Sequence, residues 1–143
     1  MTYKKKHILI IDDDVEILNA LKVLLEPKYK IMTISESLRV MGALEDFHPD
    51  LVILDADLPL INGPNLCLRI KRIVKFKDTP IIFISAHTNG YFKKKSIEAG
   101  ADVYVEKPFD YDKFIETIDS FIHPQSEKSP SKKSASQKKS DNK

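Results

Sequence analysis

The chain is short of cysteine, of long apolar runs and of anything repeated. Its 143 residues include one cysteine, Cys67, so no disulfide can form within it. With no secretory leader at its start, this points to a reducing, cytoplasmic setting. No apolar run approaches the roughly 18 residues needed to cross a bilayer, so membrane insertion is not expected. No segment recurs at a fixed period, which argues against a repeat architecture.

The last twenty residues lack arginine, aromatics and every aliphatic side chain except Ala135, and twelve of them are Ser or Lys. Such a stretch cannot bury enough surface to offset its ordering entropy, so residues 124–143 read as a disordered tail behind one folded domain of residues 1–123. Its six lysines, against Glu127 and Asp141, give the tail a charge of +4. The whole chain's +2 less that +4 leaves the body at −2. The tail would touch an anionic partner weakly and with strong salt dependence. Without aromatics or arginines it carries no means of base readout, so sequence-specific nucleic-acid binding is not expected and a spacer is the simpler reading.

Five short apolar runs occupy the body: residues 7–11, 29–34, 51–54, 81–84 and 103–105. Most are continuous and β-branched rather than alternating, which suits parallel strands buried on both faces. Pro49 and Pro80 stand where a strand can begin and a helix would stop. Helical patterns follow at 15–26 (Leu18, Leu21, Leu25), 36–47 (Leu38, Met41, Leu44), 64–76 (Leu66, Ile70, Ile73) and 111–122 (Phe114, Ile118, Phe121, Ile122), with a weaker one at 90–99 stopped by Gly100. The alternation predicts an α/β fold, (βα)5, with right-handed crossovers and an open, doubly wound parallel sheet of five strands.

In such a sheet ligands gather at the carboxyl ends of the strands. There the first run ends at Asp12-Asp13, the third at Asp55 and the fourth at Ser85, while the fifth passes through Glu106 into Lys107-Pro108. Clustered carboxylates repel unless a cation sits among them, and Mg²⁺ prefers oxygen ligands. An aspartate beside such a cation can attack phosphorus, a lysine can hold phosphoryl oxygens, and a hydroxyl can donate to another.

These blocks carry a resemblance. Residues 8–14 (ILIIDDD), 50–63 (DLVILDADLPLING), 80–86 (PIIFISA) and 100–109 (GADVYVEKPF) resemble, in order and spacing, the receiver domains of bacterial two-component response regulators. The spacings are 42 residues from Asp13 to Asp55, 30 on to Ser85 and 22 on to Lys107. The resemblance covers about residues 6–123. It implies a flavodoxin-like sheet of order 2-1-3-4-5, with Asp55 as phosphoacceptor and Mg²⁺ (or Mn²⁺) held by Asp13, Asp55, the backbone carbonyl of Asp57 and, through water, Asp12. It further implies that Lys107 binds the phosphoryl group, with a cis peptide before Pro108. Ser85 and Tyr104 take the switch positions, moving towards the site on phosphorylation and remodelling the face of the fourth helix, fifth strand and fifth helix. The implied donor is a phosphohistidine on a sensor kinase or phosphotransfer protein. A homodimer formed on phosphorylation is compatible with the family. No output segment follows, so the signal is expected to leave by contact with another protein, whose identity the sequence does not encode. Such a domain catalyses only its own phosphorylation and slow dephosphorylation.

Asp57, two residues past the acceptor, carries an acidic side chain where the family varies, and we expect it to alter the lifetime of the acyl phosphate. Asp14 is expected to cap the following helix, and Pro64 to sit comfortably at the start of its own. Cys67 reads as core, Lys93-Lys94-Lys95 as a solvated helix face, and His87 as an exposed loop residue. The Asp55-Ala56-Asp57 sequence also resembles haloacid-dehalogenase phosphatases. Those place the extra acidic pair after the lysine, whereas here Asp12-Asp13 come first, and the chain leaves no room for a cap domain.

Overall fold

The computed structural model of the chain describes residues 4–86 and 90–124. It divides into two units, with the boundary in the chain between Phe109 and Asp110.

The first unit holds strands β1 (His7–Ile11), β2 (Lys30–Ile34), β3 (Leu51–Asp55), β4 (Ile81–Ser85) and β5 (Val103–Glu106), with helices α1 (Val15–Leu25), α2 (Val40–Phe47), α3 (Gly63–Arg72) and α4 (Gly90–Glu98). All strand pairs are parallel, in the order β2-β1-β3-β4-β5. This is the five-stranded flavodoxin-like order.

The burial explains why the runs are continuous rather than alternating. Every residue of β3 and β4 is buried. Leu9, Ile11, Val52, Leu54, Ile81 and Phe83 share a core with Val40, Leu44 and Phe47 of α2 and Leu66, Cys67 and Ile70 of α3. The alternate residues Ile8, Ile10, Leu51, Ile53, Ile82 and Ile84 are also fully buried, and the strand's period of two turns them to the opposite face. Each such side chain contributes about 1.5–3 kcal/mol.

Helix boundaries follow local chemistry. The Asp14 carboxylate accepts from the Glu16 amide at 3.0 Å and caps α1. Asn62 caps α3 in the same way, with Pro64 in the first turn. Helix α4 ends in a Schellman motif: Ala101 N donates to Ser96 O, Gly100 N donates to Ile97 O, and Gly100 takes φ +110°. Lys93, Lys94 and Lys95 face solvent.

Two helical patterns differ from the sequence reading. Residues 37–39 form a 3-10 turn, and α2 starts only at Val40. That turn shifts the phase, so Val40, Leu44 and Phe47 are buried and Leu38 is 66 % exposed. The pattern at 64–76 breaks at Ile73, which is extended, before a second 3-10 turn at Val74–Phe76. The break sends Phe76 into the core and leaves Val74 in solvent.

The second unit consists of α5 (Tyr111–Ile122), capped by the Asp110 carboxylate on the amides of Asp112 and Lys113. Phe114 and Ile118, one turn apart, are its buried residues, and Phe121 and Ile122 are half-buried. Most of the 124–143 tail, and His87, lie outside the described residues.

Candidate functional site

The sheet brings the polar ends of its strands together. Asp12 continues β1, its amide donating to Ile34 O at 3.1 Å. Asp55 ends β3 opposite Ile84, and Ser85 ends β4 opposite Glu106. The Lys107 amide donates to Ser85 O at 2.7 Å, so the side chain of Lys107 starts beyond β5, two strands from Asp55 on β3. The Lys107–Pro108 peptide is cis. The acids sit where the strand order reverses between β1 and β3, the usual ligand position in such sheets.

Asp12, Asp13 and Asp55 each offer a carboxylate oxygen, and the three oxygens lie within 4.8 Å of one another. Asp12 and Asp55 are buried, whereas Asp13 is exposed and opens the cluster to water. Two of the acids are oriented by the chain that follows them. Asp12 Oδ1 accepts from the Asp14 amide at 2.8 Å, and Asp55 Oδ1 accepts from the Asp57 amide at 3.2 Å. Each is an Asx turn, in which a short acid satisfies the backbone two residues on. Lys107 Nζ lies 2.8 Å from Asp12 Oδ2 and 3.8 Å from Asp55 Oδ2.

The electrostatics are unbalanced. Burial pushes the Asp55 carboxyl up to about 7, and the nearby Asp12 charge adds to it, while the Asp57 amide and Lys107 pull the other way. Burial alone would lower the Lys107 ammonium, but its contacts with Asp12 and Asp55 hold it above its ordinary value. One ammonium faces three carboxylates. Asp12 Oδ2 is buried and meets the Lys107 ammonium at 2.8 Å, a charge-assisted contact. An all-oxygen cluster with surplus negative charge, two buried carboxylates and one water-facing member fits a hard divalent cation.

Ser85 is fully buried. Tyr104, opposite Phe83 on β5, is half-buried with its ring 6.5 Å from that of Phe83. The Tyr104 hydroxyl is buried with no hydrogen-bond partner among the described residues. Cys67 is fully buried in the core, its thiol donating to Ala99 O at 3.3 Å.

Sequence reasoning missed two features beside the cluster. Leu60 has φ +70° without being glycine, and no residue-type signal marks it. Ser37 bonds to both neighbours of Leu60, a contact between distant segments that no local pattern announces.

Comparison with known proteins agrees with this geometry. The response regulator receiver domain family matches residues 8–119. The chain is 36% identical over 109 residues to the transcriptional regulatory protein KdpE of Mycobacterium tuberculosis, covering 76% of this chain and 47% of that protein. It is 35% identical over 103 residues to the response regulator protein GraR of Staphylococcus aureus, covering 71% and 45%. The chain thus spans about half the length of the curated relatives it matches. A CheY-like receiver domain protein from Methanospirillum hungatei superposes with a TM-score of 0.79 at 26% identity, covering 86% of this chain and 98% of that one. Among the described residues no helix is long and apolar enough to cross a membrane. The chain belongs to the response regulator receiver domain family, the phosphoacceptor signalling modules of two-component systems.

Proposed function

We propose that Asp55 accepts a phosphoryl group from a phosphohistidine on a sensor kinase or phosphotransfer protein. The observation that carries this is the convergence of Asp12, Asp13 and Asp55 within 4.8 Å, with Lys107 reaching two of them. In the transfer an Asp55 carboxylate oxygen forms a bond to phosphorus as the bond from phosphorus to the histidine nitrogen breaks. The electron pair of that bond returns to the imidazole. The Asp57 amide holds Asp55 Oδ1, which leaves Oδ2, on the Lys107 side, as the attacking atom. Lys107 is already charged and shared between two carboxylates, so it can turn to the incoming phosphoryl oxygens without gaining a proton.

Asp13, Asp55 and the backbone carbonyl of Asp57 would hold Mg²⁺, with Asp12 acting through water. When bound, that ion neutralises charge on both carboxylate and phosphoryl group. The chain's own contribution is positioning: two Asx turns, a buried acceptor and an ammonium held beside it.

Ser85 and Tyr104 are proposed to carry the change outward to α4 and β5, with Ser85 meeting the new phosphoryl oxygens. Asp57, exposed beside the acceptor, is proposed to tune how long the acyl phosphate survives. We read residues 1–123 as the receiver and 124–143 as its tail, in keeping with a family match that ends at residue 119. On this reading the domain is a stoichiometric switch rather than a turnover enzyme.

Intact mass after incubation with acetyl phosphate and Mg²⁺ tests the assignment. The wild type should gain one phosphoryl group, and Asp55→Asn, or wild type with EDTA, should gain none. Full labelling of Asp55→Asn would sink it.

A further inference from the structure

The loop between β3 and α3 turns where glycine would be comfortable and has leucine instead. Leu60 has φ +70°, a region that residues with a Cβ resist. It is 83 % exposed, so packing of its own side chain does not hold it there. The Ile61 amide donates to Pro59 O at 2.8 Å, closing a γ-turn around Leu60. The positive-φ form of that turn is the rarer and more strained of the two.

Both ends of the turn are gripped by one outside group. Ser37 Oγ donates to Pro59 O at 2.9 Å and accepts from the Ile61 amide at 3.3 Å. Ser37 belongs to the segment after β2 and is 3 % exposed. At the base of the same loop the Gly63 amide donates to Ala56 O at 3.0 Å, and the Asp57 amide is tied to Asp55. The loop is therefore closed at its base, anchored to the acceptor at one side and clamped at its tip. Leu58, between Asp57 and the turn, is itself buried in the core, so the clamp on 59–61 adds to that anchor in setting where the Asp57 carbonyl sits.

We propose that Ser37 is a positioning residue for the cation site. Its hydroxyl holds the strained turn at Leu60 and so keeps the Asp57 carbonyl where a metal ligand is needed. This rests on the reading of that carbonyl as a ligand. Without the clamp the turn relaxes, the binding-competent fraction of loops falls, and the apparent dissociation constant rises by the inverse of that fraction. Glycine adopts φ +70° without steric cost. A clamp that works by holding Leu60 is redundant once residue 60 is glycine, so the two positions must be energetically coupled.

The test is Mn²⁺ binding to the full chain, followed by electron paramagnetic resonance of the free ion, with thermal midpoints in EDTA measured alongside. Wild type, Ser37→Ala, Leu60→Gly and the double variant are compared. Ser37→Ala should bind about fivefold more weakly, equivalent to ~1 kcal/mol. Leu60→Gly and the double variant should both stay within twofold of wild type. If Ser37→Ala lowers only the midpoint and binds Mn²⁺ as wild type does, its role is structural alone and the proposal falls. A double variant as weak as Ser37→Ala also overturns it. Should Ser37→Ala not fold, the double variant decides: binding equal to Leu60→Gly supports the clamp, and fivefold weaker binding refutes it. A wild type that binds no Mn²⁺ would remove the carbonyl-ligand reading itself, and the clamp with it.

Discussion

A Cβ added at Gly63 would stand 2.5 Å from the carbonyl oxygen of Asp55, and 2.7 Å from Ala56 Cα. The helix that follows the acceptor thus begins in contact with the acceptor's own backbone, and both neighbours are main-chain atoms that cannot swing aside. Gly63→Ala should cost about 1–3 kcal/mol as an overpacking change. At roughly 4 °C per kcal/mol for a domain of this size, the midpoint in a thermal melt should fall by several degrees. A variant that melts with the wild type would show that the loop yields freely.

Asp55 should weaken the metal-free fold. Its folded pKa, pushed up to about 7, lies above the ordinary 3.8. Between those values the native state holds a proton that the unfolded chain has released, so stability falls as pH rises from about 4 to about 7 and stays lower beyond. Asp55→Asn should therefore melt higher than wild type in EDTA at pH 8, by roughly 4 °C or more. The gain should shrink towards pH 4. Saturating Mg²⁺ should close or reverse the difference, because ligand bound to the native state stabilises the wild type preferentially. A gain of equal size at pH 5 and pH 8 would argue against the buried-charge account.

The Tyr104 hydroxyl is buried without a partner among the described residues, a condition that costs about 1–3 kcal/mol. Tyr104→Phe removes the hydroxyl and keeps the ring beside Phe83. We expect a rise of roughly 4 °C in the thermal midpoint, equivalent to about 1 kcal/mol. A fall would show that the hydroxyl is satisfied in solution.

Cys67 should be inert. Burial pushes its thiol up to about 11 despite the attraction of Lys71, and the thiolate is the reactive form. Ellman's reagent at pH 8 should label native protein at least a hundredfold more slowly than protein in 6 M guanidinium (a denaturing concentration by roughly the scale of ordinary domains). Comparable rates would mean that α3 opens readily.

Much of this protein was legible before any coordinates. Continuous β-branched runs such as Ile81–Ile84 announce strands buried on both faces, because a strand's burial is recorded residue by residue along the chain. The acids, Ser85 and Lys107 follow those runs directly, so parallel strands had to deliver them to one edge. Only the tertiary structure decided what depends on contacts between distant segments. The buried stripe of α2 runs through Val40 rather than Leu38 because a 3-10 turn precedes it, and periodicity is blind to where a helix starts counting. Leu60 takes a left-handed turn that its residue type disfavours, its two neighbours sharing hydrogen bonds with Ser37, more than twenty residues earlier in the chain. The sequence by itself determined which groups would meet at the edge of the sheet. Their spacing, charge balance and the strain beside them came from packing, where energies depend on neighbours that sequence order does not reveal.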